Sequence, residues 1–191
     1  MPTWLLRPPG IPGCESHEKH RLDYQNGNDF YPNGSSIVKP DEKLTLGWRE
    51  WVGLPELGLD AIKAKVDTGA RTSTLHAFEL DTFSEHGKAR VRFKIHPIQK
   101  DSDTVVTCMA DVVDERYVTD SGGHKEQRLI IETLLTIGCW SWPIEMTLTA
   151  RDNMMFRRLL GRTALKGVAR VDPSRSYTTG KKRRIKLKKE C

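Results

Sequence analysis

From Leu44 onward the chain reads as short runs of alternating apolar and polar residues, cut by turn residues at strand-length intervals. The clearest run is 61–66, where Ile62, Ala64 and Val66 alternate with Lys63 and Lys65. A strand there turns its apolar side chains to a core and its lysines outward, because successive side chains point to opposite faces. Residues 44–52 predict a strand before it, with Leu54-Pro-Glu-Leu-Gly58 as the turn between them. Residues 78–83 and 89–95 flank Ser84-Glu-His-Gly-Lys88 and predict a hairpin, and 105–113 predicts a further strand. Residues 128–137 and 141–149 flank Gly138-Cys-Trp and predict a second hairpin. Only 162–166 suggests a helix, and a short one. So many short strands at this spacing imply an all-β barrel or sandwich.

Residues 1–43 lack the alternation and are rich in Pro, Gly, Asn, Ser and charge, so they predict a mobile polar leader. The β domain is expected over 44–177 and a basic tail over 178–191. The tail changes how the charge of +6 is understood. Residues 181–190 hold seven bases and one acid, a surplus equal to that of the whole chain, which leaves a neutral body. Such a tail reads either as a solvated appendage or as a tether to nucleic acid or an acidic partner, held through release of counterions. No apolar run approaches the roughly 20 residues of a membrane helix, and prolines interrupt the first residues where a secretory signal needs an apolar stretch. A cytoplasmic protein that does not enter the membrane is expected.

Metal chemistry finds little support in the residues. Cys14, Cys108, Cys139 and Cys191 have no Cys-x-x-Cys spacing, so reduced thiols are expected rather than a zinc knuckle or disulfide framework. Ser16-His-Glu-Lys-His20 places its histidines three apart, not the four of a zinc-protease helix. The phosphate-binding pattern Gly-x4-Gly-Lys-Ser/Thr is absent. No metal and no cofactor is expected.

The candidate chemistry centres on Asp67-Thr-Gly69. The triplet alone marks only a bend, because Asp and Gly are common turn residues. Two features raise it. A half-buried strand delivers Asp67 to a loop, and Arg158-Leu-Leu-Gly-Arg-Thr-Ala-Leu165 places two apolar residues and Gly161 before a helical turn. This combination resembles the retropepsin-like acid protease fold, in which a later strand passes the catalytic loop at a glycine. Four stretches sharpen the likeness: Lys65-Val-Asp-Thr-Gly-Ala-Arg-Thr-Ser-Thr-Leu-His-Ala77, Arg128-Leu-Ile-Ile-Glu-Thr133, Leu160-Gly-Arg-Thr-Ala-Leu-Lys-Gly167 and Val171-Asp-Pro-Ser-Arg-Ser176. Together, over about 44–177, they are similar to the small retropepsin-like proteins often labelled ATP-dependent zinc proteases and associated with RimK-type ATP-grasp glutamate ligases.

The resemblance implies a closed barrel of six or more strands with one short helix. It also implies an aspartic-type peptidase or peptide-bond hydrolase in which a homodimer pairs the two Asp67 carboxylates across one water. Like charges that close cannot both ionise, so one carboxyl stays protonated while its partner takes a proton from the water. Thr68 is then expected to bond across the dimer. Gly69 is expected to allow the tight turn and offer its N–H to the carboxylate, Gly161 to pass close by, and Arg162 to support the loop by ion pairing. Asp120-Ser-Gly is not read as a second catalytic aspartate, since no second apolar-apolar-Gly follows it; it reads as a hairpin tip over the cleft.

Arg71, Ser73 and His76 are the candidate substrate contacts. Arg71 either clamps a substrate carboxylate, favouring acidic or glutamyl-tailed peptides, or makes an outward ion pair with Glu79. Ser73 and His76 also read as turn-capping and structural residues. Trp48, Trp51, Trp140 and Trp142 read as core or interface. A non-catalytic binding or scaffold module with this fold is the second reading of the whole, and an accessory protein tethered by its basic tail to nucleic acid or the ribosome is the third.

Overall fold

A computed structural model describes residues 6–7, 36–37, 43–99, 101–119, 123, 125–150 and 156–180. Among them the chain is mostly strand with one short α-helix. In chain order the strands are β1 (Leu6–Arg7), β2 (Ser36–Ile37), β3 (Leu44–Gly47), β4 (Arg49–Leu54), β5 (Leu59–Val66), β6 (Ser73–His76), β7 (Phe78–Glu85) and β8 (Lys88–Ile95). They continue with β9 (Val106–Thr119), β10 (Lys125–Ile137), β11 (Trp140–Thr149) and β12 (Arg158–Leu160), then the helix α1 (Arg162–Leu165) and β13 (Ala169–Asp172). A 3-10 turn, Pro55–Leu57, joins β4 to β5 and ends at Gly58 with φ of 72°, a left-handed position that glycine adopts without a Cβ clash.

Eleven strands form one sheet in the order β2-β1-β11-β6-β12-β5-β4-β10-β9-β8-β7, and an added β10–β11 pairing closes β4, β5, β12, β6, β11 and β10 into a ring. Strands β3 and β13 pair in parallel as a separate sheet. The core follows from period-two alternation. Val52, Ile62, Ala64 and Val66 point inward from β4 and β5, to meet Leu75, Ile131, Leu135, Trp142, Met146 and Leu160. Each fully buried Leu or Ile side chain contributes roughly 1.5–3 kcal/mol by leaving water. Trp142 also donates its indole N–H to the Ala164 carbonyl at 2.9 Å, which ties α1 to β11.

The hairpin turn at His86-Gly87 has positive φ at both residues, 52° and 77°, the backbone hand that matches strand twist in a two-residue turn. The strand expected over 44–52 is broken at Trp48 into β3 and β4, which lie in different sheets, and β13 was not expected. β6 and β9 depart from the sequence pattern as well. β6 is buried at all four residues, Ser73 to His76, so it has no polar alternation to betray it. β9 runs well past residue 113, because β8 pairs with its first half and β10 with its second. Trp140 and Trp142 lie in the core, while Trp51 on β4 and Trp48, in the bend between β3 and β4, are half-buried. Most of the leader, the tail from 181 onward and Asp120 lie outside the described residues. Two leader segments are described, β1 and β2, which pair with each other and through Leu6 with Ser141.

Candidate functional site

β5 carries Asp67 to the surface. Val66 is the last inward residue, and the Asp67 N–H still donates to the Leu160 carbonyl of β12 at 2.9 Å. The chain then turns back on its own side chain. Asp67 Oδ1 accepts the N–H of Gly69 at 3.1 Å and of Ala70 at 3.3 Å, the local bonding by which Asp organises a turn. Its second oxygen, Oδ2, takes the Lys65 ammonium at 3.2 Å. Partial burial pushes the Asp67 carboxyl up, but the Lys65 hydrogen bond and charge, with the amides of Ala70 and Gly69, outweigh it. The net effect holds this carboxyl below the usual carboxylate value.

The strand and helix after residue 157 clamp the loop. A Cβ on Gly161 would stand 2.5 Å from the Thr72 carbonyl carbon and 2.8 Å from the Arg71 oxygen, so backbone passes directly over backbone. Gly161 donates its N–H to Ser73 Oγ at 3.1 Å. The Arg162 and Thr163 amides, free of helical partners at the start of α1, donate to the Ala70 and Arg71 carbonyls at 2.9 and 3.0 Å. The Arg162 guanidinium reaches the Thr68 and Gly69 carbonyls at 3.1 and 3.2 Å. Its support of the loop therefore runs through neutral carbonyls, not the ion pair expected.

A groove of about 810 Å³ opens beside this loop, lined among others by Asp67, Arg71, Arg116, Tyr117, Arg128 and Arg162. Asp67 is the only carboxylate among its described lining residues, against four arginines. Two of these cations are answered outside the groove lining. Arg116 pairs with Asp114 and with Glu145, the latter at 3.1 Å, and Arg128 pairs with Glu126 at 2.8 Å. Arg71 is exposed and has no ion-pair partner among the described residues; Glu79, its alternative partner from sequence, pairs with Lys94 instead.

Ser73 and His76 fall elsewhere than a substrate contact needs. Both are buried in β6, Ser73 accepting from Gly161 while the His76 main chain donates to the Arg157 carbonyl at 2.8 Å. Thr68 and Gly69 are exposed at the loop apex. Arg116 and Arg128 were not singled out from sequence. Their signal is tertiary, since the β9–β10 hairpin places residues that are distant in sequence from the loop beside the same groove. Among the described residues no three His, Cys, Asp or Glu side chains gather as a metal-binding group, so the zinc implied by the family label finds no fitting ligand set there.

A strand ending in Asp-Thr-Gly and overpassed by the glycine of a later strand places the chain among retropepsin-like proteins. Residues 45–182 match the family described as RimB-like, retropepsin-like aspartic endopeptidase RimB, and the chain belongs to that family. Its curated relatives include proteins named probable alpha-L-glutamate ligase from three bacteria. The one from Shewanella pealeana (strain ATCC 700345 / ANG-SQ1) is 43% identical over 74% of this chain and 31% of the relative. The one from Desulfotalea psychrophila (strain LSv54 / DSM 12343) is 44% identical over 72% and 30%. That from Parasynechococcus marenigrum (strain WH8102) is 44% identical over 76% and 31%. The chain thus spans about a third of the length of these relatives, and their name is a ligase name, not the zinc-protease label expected. A crystal structure of a protein of unknown function (DUF785) from Legionella pneumophila subsp. pneumophila str. Philadelphia 1 shares the fold. Its TM-score is 0.62 at 24% identity, covering 73% of this chain and all of that one. No helix among the described residues is long and apolar enough to cross a membrane.

Proposed function

We propose that the protein is an aspartic-type peptidase, or peptide-bond hydrolase, that works as a homodimer on acidic or glutamyl-containing chains. The observation that carries this reading is the Asp67 carboxylate itself. Two backbone amides hold one oxygen while the other meets only the Lys65 side chain among the described residues, at the end of a strand that a glycine overpass locks in place. In a dimer the two Oδ2 atoms, once released by Lys65, share a water and one proton. The ionised carboxyl takes a proton as the water oxygen attacks the scissile carbonyl carbon, and the protonated one hydrogen-bonds the carbonyl oxygen. Collapse of the tetrahedral intermediate expels the amine, which leaves with a proton from the pair. Thr68, exposed at the loop apex, is the side chain we assign to the contact between the two loops.

Two observations support an acidic substrate. The groove beside Asp67 carries four arginines, and Arg71 is free to meet a carboxylate bidentately. The relatives also carry a stretch like this chain within proteins named for joining glutamate, which supports a functional link to an ATP-grasp glutamate ligase. The competing reading, a binding module without the reaction, is favoured by the Lys65 ammonium on Asp67 Oδ2, where a second carboxyl would have to come.

Substituting Asp67→Asn separates the two. Hydrolysis of an oligoglutamate peptide should be lost while the far-ultraviolet spectrum and sedimentation stay those of the native chain. Turnover unchanged in D67N, or absent in the native protein across a broad peptide pool, rejects the peptidase. Treatment with EDTA should leave the rate unaltered, since the water is activated here by carboxylates.

A further inference from the structure

We propose that Lys65 is a positioning residue for Asp67: it occupies Oδ2 while the carboxylate is alone and must swing away before a second carboxyl, or a shared water, takes that place. The proposal rests on the reading of Asp67 as the general acid–base, but its core is a statement about one contact.

The contact is built by the strand. Residues two apart along extended chain share a face, so Lys65 on β5 and Asp67, one residue past its end, lie on one side and their charged ends meet at 3.2 Å. The two oxygens of the carboxylate are held unequally. Oδ1 is bound by the main chain of its own turn and cannot be vacated without unmaking the turn. Oδ2 is held only by a four-carbon side chain that is 41% exposed. Of the two, Oδ2 is the oxygen that can change partners.

The surroundings of Lys65 push it onto Asp67. Directly across the β4–β5 pair stands Arg49, a like charge that disfavours any other outward pose. Arg49 is itself fixed, its guanidinium 4.4 Å from the Trp48 ring and 5.0 Å from Tyr177. On the same face Lys63 lies 5.3 Å from the Trp51 ring. Across β12, the register neighbour of Lys65 is the apolar Leu159. The other charged residues that line the groove with Asp67 are Arg71, Arg162, and Arg116 and Arg128 from β9 and β10, all cations, the last two already paired with Asp114, Glu145 and Glu126. Among the described residues Asp67 is thus the only acid that pairs with Lys65.

An ammonium on Oδ2 favours the ionised carboxylate, in keeping with the lowered Asp67 value, whereas a dyad needs one proton retained between two carboxyls. Lys65 therefore opposes the shared proton while it stays, and its departure is a step in assembling the pair.

The test is a side-chain carboxyl NMR titration of Asp67 in the native chain, in Lys65→Met and in Lys65→Arg. The Asp67 midpoint should rise in K65M and return towards the native value in K65R, which restores charge but not shape. In the native chain it should also rise in about 1 M sodium chloride, where the Debye length is only about 3 Å. An unmoved midpoint in K65M overturns the proposal. If K65M does not fold, the salt series on the native chain decides, and a midpoint indifferent to salt overturns it equally. Peptide hydrolysis is read separately. A midpoint that moves while no variant cleaves oligoglutamate upholds the hold of Lys65 on Asp67 and refutes the peptidase. Cleavage that needs Asp67, beside a midpoint that ignores Lys65, does the reverse.

Discussion

The main chain of Gly161 crosses that of Thr72 so closely that a methyl group on Gly161 would sit 2.5 Å from the Thr72 carbonyl carbon and 2.7 Å from its oxygen. Both atoms are backbone, so no side chain can rotate out of the way. The φ of Gly161 is −83°, an ordinary value, and the need for glycine is one of space alone. Gly161→Ala should therefore lower stability by about 1–3 kcal/mol, the overpacking range. It should also pry β12 from the 70–73 segment, weakening the Ser73 hydrogen bond and the bonds of α1 to Ala70 and Arg71. Urea denaturation measures the first effect. Faster amide exchange at Gly161, Arg162 and Thr163 measures the second, and a variant as stable as the native chain contradicts the packing described.

Glu50 is a fully buried carboxylate that no sequence pattern marked, and it holds the end of the domain in place. One oxygen accepts the Gly47 N–H at 2.6 Å and the Thr178 N–H and hydroxyl at 2.9 and 2.6 Å; the other accepts the Thr179 N–H and hydroxyl at 3.4 and 3.0 Å. Glu50→Ala strands four of these donors, the Thr178 hydroxyl keeping the Thr45 carbonyl at 2.8 Å, and a lost hydrogen bond to a charged group costs about 1.5–3 kcal/mol. A loss of roughly 3 kcal/mol is expected, with rapid exchange at Thr178 and Thr179. Glu50→Gln should cost less, because its carbonyl keeps one acceptor, yet its NH2 faces donors. Equal stability of both variants with the native chain would falsify the latch.

Acid should weaken the fold partly through Asp67. Its carboxyl is held below the ordinary value of 3.8: partial burial opposes this, but Lys65 and the amides of Ala70 and Gly69 prevail. A carboxyl with a lowered folded pKa contributes stability above its unfolded value, and that contribution is lost as pH falls through the folded one. The native chain should exceed Asp67→Asn in melting temperature near neutrality, and the gap should close as pH falls below the ordinary value and through the lowered folded one. For a pair this exposed the gap is at most about 1 kcal/mol, and it narrows in high salt. Melting curves of both proteins from neutral pH into acid follow it; a gap that persists unchanged at the acid end contradicts the assigned direction.

Much of the strand framework was legible because each antiparallel strand buries one face and so writes its alternation into the chain. Ile62, Ala64 and Val66 announced β5 in this way, and the His86-Gly87 turn announced the β7–β8 hairpin. β6 was not legible. It lies between β11 and β12 with all four residues buried, and Ser73, Thr74 and His76 gave it the composition of a loop. The same burial removed Ser73 and His76 from the substrate contacts that their place after Asp67 suggested. Arg162 was legible as a support of the loop but not in its manner, since carbonyls of Thr68 and Gly69 leave no mark in a sequence.

By itself the sequence determined that a half-buried strand delivers Asp67 to a loop, because alternation is a property of single residues and their near neighbours; a role for glycine at 161 came only through the family resemblance. Only the tertiary structure decided that Arg116 and Arg128 share the groove of Asp67, that Gly161 crosses Thr72, and that Glu50 anchors residues 178 and 179. Those relations join segments tens of residues apart, and they arise from the closing of the strand ring, a consequence of how all the buried faces pack at once.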